Sequence, residues 1–140
     1  MFTTEVQVRF SETDLAGWVY YGNYFVYFED GRSYMYDHLG FNYNDLRKEG
    51  IFLPIVVAHC EYKKPATYYD ILEVHITILE LGKTSLKTGY KIVNKKTQTI
   101  HVTGYCVQAC VGEDGVSREF PEKLRKALVA AMETNKGKED

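Results

Sequence analysis

Residues 4–10 alternate, with Thr4, Val6, Val8 and Phe10 on one side and Glu5, Gln7 and Arg9 on the other. That period of two predicts a half-buried strand. Residues 11–17 form a loop ending in Gly17. From about Asn23 to Leu39 the period becomes helical: Tyr24, Phe28, Gly31, Met35 and Leu39 make one stripe, and Glu29, Asp30, Ser33 and Asp37 another. Phe25, Tyr27 and Tyr34 widen the apolar sector, so other elements are expected to enclose this helix, and Gly40 is its expected stop. Residues 42–49 suggest a short polar helix or turn before Gly50. The apolar, β-branched run 51–63 predicts a strand that Pro65 ends. Three strands follow, over 71–81, 84–93 and 97–111. In the last, Ile100, Val102, Cys106 and Cys110 alternate with His101, Thr103, Tyr105 and Val107. Gly82-Lys83 and Asn94-Lys95-Lys96 are short enough for hairpins. A turn at Gly112–Gly115 then precedes a helix at about 121–134, with Pro121 at its start and Leu124, Ala127, Leu128 and Ala131 on one face.

The order β–α–β–β–β–β–α, with consecutive hairpins, predicts an antiparallel sheet and the α+β class, the sheet wrapping the long helix. No internal repeat or linker interrupts it. Length fits a single domain over 1–140, with a frayed tail at 135–140. Net charge of −2 is unlike a nucleic-acid-binding domain. The opening residues alternate at once as a strand, so neither a signal peptide nor a membrane span is expected. Cys60, Cys106 and Cys110 match no zinc spacing and read as reduced buried thiols of a cytoplasmic protein. The 12 Tyr suit a packed interior with polar tips, a ligand cleft or a subunit interface.

Two motifs lead nowhere. Gly82-Lys83-Thr84-Ser85 resembles the end of a phosphate-binding loop, but Thr77 stands where that loop needs its first Gly, and a strand follows. The four His, at 38, 59, 75 and 101, share no ligand spacing, so no metal is expected.

The loop before the long helix is different. Backbone N–H groups at a helix start are unpaired and partly positive, and can hold a developing oxyanion. A carboxylate opposite them can attack a polarised carbonyl or activate a water to do so. Asp14, with the amides around Tyr21 and Gly22, has that chemistry, and Gly22 lets a substrate approach the backbone. The plainer alternative makes Asp14 an Asx-turn or cap residue.

Asp14-Leu-Ala-Gly17-Trp-Val-Tyr-Tyr21-Gly-Asn23-Tyr24 resembles the D-x-x-G-hydrophobic-V-x-[YH]-x-x-Y signature of the 4-hydroxybenzoyl-CoA thioesterase family, in its Asp-based branch. Phe28-Glu29-Asp30-Gly31-Arg32, Tyr62-Lys-Lys-Pro65-Ala66 with Tyr69-Asp70, and the Gly82–Ser85 turn resemble later segments of that family. The resemblance implies a hotdog fold, active sites at the interface of a homodimer or homotetramer, and hydrolysis of an acyl-CoA substrate without a cofactor. It implies that Asp14 is the catalytic nucleophile or general base and that the Tyr21 N–H polarises the thioester carbonyl. Gly17 would permit the bend of the loop, and Asn23 would cap the helix or touch substrate. Tyr24 with its neighbours Tyr20, Tyr27, Phe28 and Tyr34 could line an acyl pocket, and core packing explains them as well. A subgroup of bacterial acyl-CoA thioesterases, the Tol-Pal-associated type, carries His where this chain has Tyr21.

Another hotdog branch uses a helix-borne carboxylate near the position of Glu29, which is therefore a reserve catalyst; its structural alternative is pairing with Arg32 at i+3. Lys63, Lys64, Lys83 and Lys87 are candidate partners for CoA phosphates, or simply solvated cations. Two other functions fit the same fold. A hydratase or dehydratase would want a His beside the carboxylate, and residues 11–32 contain none. A non-catalytic acyl-CoA-binding module would bind without releasing thiol.

Overall fold

The computed structural model describes residues 1–139, with side chains described through Thr134. Five strands form one antiparallel sheet: β1 (Phe2–Gln7), β2 (Ile55–Tyr62), β3 (Ile71–Leu81), β4 (Ser85–Asn94) and β5 (Ile100–Ala109), in the spatial order β1-β3-β4-β5-β2. The long helix α1 (Asn23–Leu39) and the short helix α2 (Tyr43–Lys48) lie between β1 and β2, and α3 (Glu122–Glu139) ends the chain. One helix laid across a curved antiparallel sheet is the hotdog architecture, in the α+β class expected. The frayed tail expected at 135–140 falls on residues whose side chains lie outside the described part. Among the described residues, no helix is long and apolar enough to cross a membrane.

Period-two alternation sends Leu72, Val74, Ile76 and Ile78 of β3, Leu86, Thr88, Tyr90 and Ile92 of β4, and Val102, Cys106 and Gln108 of β5 to one buried face. On that face α1 presses Tyr24, Tyr27, Phe28, Met35 and Tyr36. Phe28 stacks flat on Tyr90, with ring centroids 4.2 Å apart, and is fully buried; burial of such a ring stabilises by about 1.5–3 kcal/mol. Close approach is possible because residue 31 is Gly: a Cβ there would stand 3.0 Å from Val74 Cγ1. Two buried polar side chains pair with each other, the Tyr36 hydroxyl donating to Gln108 Oε1 (2.8 Å) and Gln108 Nε2 donating to the Leu53 carbonyl (2.8 Å). Leu124 and Leu128 of α3 complete the core, and Arg125 donates to the carbonyls of Gly82 and Lys83 at the β3–β4 hairpin.

Some expectations need correction. The first strand stops at Gln7, and Phe10 starts a 3-10 turn with its ring 76% exposed, so the alternation through Phe10 does not hold. Helix α1 keeps an open outer face: Glu29, Asp30 and Asp37 are exposed and Val26 is about half so. Strand β5 starts at Ile100 rather than 97, because the Asn94 side chain accepts from the N–H groups of Lys96 and Thr97 and lengthens the turn. A bulge at Ile92/Val93 then turns Ile100 outward and His101 inward. Arg32 does not pair with Glu29. It turns into the core, 7% exposed, where it donates to the Tyr90 hydroxyl (3.1 Å) and approaches Cys106 Sγ (3.6 Å).

Candidate active site

The loop before α1 is folded by short-range bonds that its own sequence supplies. Asp14 N–H donates to the Trp18 carbonyl (2.8 Å), and Gly17 N–H to the Asp14 carbonyl (3.0 Å). Gly17 has φ of 84°, a left-handed conformation that costs Gly little. Asp14 Oδ1 accepts from Ala16 N–H (2.9 Å) and Trp18 N–H (3.3 Å). Asp14 is therefore an Asx-turn residue as well as a candidate reactive group: one carboxylate oxygen pins the loop, and no donor takes Oδ2 among the described residues. Val19 N–H donates to the Ala66 carbonyl (2.8 Å), which ties the loop to the segment after β2.

The loop's far side is fastened through Glu12. Its carbonyl accepts from Tyr20 N–H (2.8 Å) and from Asn23 Nδ2 (2.8 Å), while its carboxylate accepts from Arg9 N–H (2.8 Å) and the Tyr27 hydroxyl (3.1 Å). Asn23 thus holds the loop against the helix start. Burial, and then the neighbouring Glu12 carboxylate, push the Tyr27 phenol far above its ordinary range. Among the described residues, no acceptor takes the N–H of Tyr21 or of Gly22. These amides sit just before the first turn of α1, where the helix dipole favours negative charge.

A cavity of about 270 Å³ opens here, lined by Asp14, Trp18, Tyr21, Tyr24, Tyr62, Lys63 and Lys64 among others. Its polar groups are few and its walls aromatic, the composition of a small-molecule site. Tyr24 is buried, and its hydroxyl accepts from Ala66 N–H (3.1 Å). Burial, more than any neighbour, raises its pKa. Tyr62 crosses from the end of β2, and its hydroxyl donates to the Tyr21 carbonyl (3.1 Å). Lys63 and Lys64 are held by backbone bonds from their N–H groups to the His101 carbonyl (2.8 and 3.3 Å).

The fold brings Asp14, Tyr21, Tyr24, Lys63 and Lys64 to one cavity. Gly17, Gly22 and Asn23 adjoin it through the loop and helix start without lining it. Lys83 and Lys87 lie elsewhere: Lys83 is in the β3–β4 hairpin, and the Lys87 ammonium lies 4.5 Å above the Tyr105 ring. Glu29 is on the exposed side of α1 and does not line the cavity. Of the aromatic candidates, Tyr24 alone lines it; Tyr27 and Phe28 are core, Tyr34 packs on His38, and Tyr20 is near half-exposed. Trp18 and Tyr62 were not singled out from the sequence as cavity residues. Their signal was proximity in the chain, Trp18 inside the Asp14 motif and Tyr62 just before Lys63-Lys64. Among the described residues, no three His, Cys, Asp or Glu gather as a metal would require.

Fold and loop motif together define a class, and residues 8–128 match the model of the thioesterase-like superfamily. The chain belongs to that family, whose class is thioester hydrolase. It is 34% identical over 124 residues to YneP of Bacillus subtilis, which carries the provisional name of acyl-CoA thioesterase; the match covers 89% of this chain and 87% of YneP. It is 30% identical over 130 residues to YbgC of Escherichia coli, named an acyl-CoA thioester hydrolase, covering 93% of this chain and 94% of YbgC. Among solved structures, a DHNA-CoA thioesterase from Staphylococcus aureus superposes with a TM-score of 0.90 at 28% identity, covering 97% of this chain and 93% of that one.

Proposed function

We propose that this protein hydrolyses an acyl-CoA thioester to the free acid and CoA, with Asp14 as general base or nucleophile and the Tyr21 N–H, seconded by Gly22 N–H, as oxyanion donor. The reading rests above all on one observation: Asp14 and Tyr21 line the same cavity, and Asp14 Oδ2 and the Tyr21 N–H have no hydrogen-bond partner among the described residues. In the general-base route, Asp14 Oδ2 takes a proton from water as the water oxygen bonds to the thioester carbon. The carbonyl π electrons move to oxygen, where the amides meet them. Collapse restores the C=O bond and breaks C–S, and CoA leaves as the thiolate with the electron pair. In the nucleophilic route, Asp14 itself bonds to the carbon, C–S breaks to release the CoA thiolate, and water cleaves the resulting anhydride to the free acid and the Asp14 carboxylate.

A cavity of about 270 Å³ is small for a whole ligand, since drug-sized pockets start at roughly 300 Å³. It suits the acyl group and thioester, leaving the nucleotide of CoA outside, with Lys63 and Lys64 as the cations at its wall. Lys83 and Lys87 could meet CoA phosphates only outside this cavity. The aromatic walls favour an acyl group with a flat or apolar face. The names of the relatives support CoA as the thiol. The chain works as a homodimer or larger homo-oligomer in the cytoplasm, where its three free cysteines would remain reduced.

A panel of acyl-CoA esters with a thiol-detecting reagent tests this. Asp14→Asn will lower kcat by at least about 100-fold and keep its folded spectrum. Full turnover in that variant would end the assignment to Asp14 and turn attention to Glu29. Water addition to an enoyl-CoA, or binding with no thiol release, would favour the hydratase or binding-module alternatives.

A further inference from the structure

We propose that Tyr62 is a positioning residue for one of the oxyanion-holding amides: its hydroxyl clamps the Tyr21 carbonyl and so fixes the Tyr21–Gly22 peptide that presents the free Gly22 N–H. The inference rests on the thioesterase reading above. Three observations carry it. The Tyr62 hydroxyl donates to the Tyr21 carbonyl at 3.1 Å. No backbone donor reaches that carbonyl among the described residues, because the first helical bonds go to Tyr20 and Gly22 instead (Asn23 N–H to the Tyr20 carbonyl at 2.9 Å, Phe25 N–H to the Gly22 carbonyl at 3.2 Å). The Tyr62 ring also meets the rings of Tyr21 and Tyr24 edge-on, at 6.4 and 5.7 Å.

The physical need for a clamp follows from the sequence. The residue after Tyr21 is Gly22, which has no Cβ to resist a positive φ. A rotation of the Tyr21–Gly22 peptide, turning ψ of Tyr21 against φ of Gly22, is therefore sterically cheap. It would carry the carbonyl oxygen to where the Gly22 N–H now points, and replace a donor with an acceptor. A phenol hydrogen-bonded to the carbonyl opposes that rotation. It also draws electron density toward the oxygen, which makes the Gly22 N–H of the same conjugated unit a better donor. Burial, and then the Cys60 thiol beside it, push the Tyr62 pKa up to about 12, so the phenol keeps its proton through any ordinary assay.

Tyr62→Phe keeps the ring contacts and removes the hydroxyl. Kinetics come first: wild-type turnover that Asp14→Asn abolishes establishes the reading on which the proposal stands. Tyr62→Phe will then lower kcat by about 10-fold, less than the 100- to 1,000-fold typical of deleting an oxyanion donor outright. KM will stay within about twofold, since orientation in the transition state is what is lost. The pH at which activity falls on the acid side will not move. In an amide NMR spectrum, the Gly22 N–H will shift while those of the core strands stay in place, a change that a merely structural role would not localise. Turnover within twofold of wild type, or a loss confined to KM, overturns the proposal. So does an unmoved Gly22 amide, a reading that holds even if the wild type hydrolyses no acyl-CoA and the thioesterase reading falls separately.

Discussion

At the scale of single residues, the segment joining β2 to β3 holds one strained position. Tyr69 has φ of 77°, a left-handed conformation that costs a side-chain-bearing residue about 1–2 kcal/mol. The neighbours over-determine it: Tyr69 N–H donates to the Val8 carbonyl (3.1 Å), Val8 N–H donates to the Asp70 carbonyl (2.9 Å), and Asp70 Oδ2 accepts from Thr67 N–H (2.9 Å). Tyr69→Gly will therefore unfold at higher denaturant than Tyr69→Val, by about 1–2 kcal/mol. Equal stability of the two variants would mean that the strain is absent in solution. The residues of the site differ in how far the sequence discloses them. Asp14 was readable as a candidate because carboxylate, Gly and helix start are local, within a dozen residues. Tyr62 was not, because a Tyr ending a strand fits ordinary alternation, and only the folded sheet carries it back across 41 positions to Tyr21.

At the scale of elements, α1 was the most legible piece, and its bounds Asn23–Leu39 agree with those expected. Two stripes at helical spacing and a Gly stop fix such a helix before any tertiary contact is known. Arg32 was not legible, since a charge on a helix reads as a solvent position. It is buried with a phenol and a thiol for partners, has an unpartnered Nε, and among the described residues forms no ion pair with a carboxylate. Desolvation of a cation is not repaid by neutral partners as it is by a carboxylate. Arg32→Met, similar in length and free of charge, will therefore leave stability unchanged or raise it by about 1–4 kcal/mol in urea unfolding. A loss beyond about 2 kcal/mol would show that the guanidinium bonds to Tyr90 and Cys106 outweigh the cost of its burial. The bulge that turns Ile100 outward escaped the alternation because nothing within the strand marks it: Val102, Cys106 and Cys110 keep the expected buried face, and only Ile100, on the other side of the bulge, changes side.

At the scale of the whole molecule, the two edges of the sheet are unequal. Strand β1 presents Glu5 and Gln7, and Glu5 is paired with Lys95, the charged edge that resists further pairing. Strand β2, at the other edge, leaves Ile55, Val56, Val57 and Tyr62 between 40% and 58% exposed, and among the described strands it pairs with β5 alone. Its irregularity is confined to its start, between Ile55 and Val57, so Val57–Tyr62 keep a regular register with β5 and an open outer edge. An apolar edge strand of this kind is a template for another strand, and a second copy of β2 running antiparallel supplies one by simple two-fold symmetry. The same strand ends in Tyr62, so this pairing would set the two cavities on either side of the interface. We therefore expect the purified protein to have at least twice the mass of the chain by light scattering. Val57→Lys, which puts a charge on the exposed edge at little cost to the monomer, will shift that mass toward a single chain. A wild-type monomer, or a Val57→Lys variant that keeps the wild-type mass at micromolar concentration, would rule out β2 as the seam. Retained thioesterase activity in a monomeric variant would further show that one chain holds a complete site.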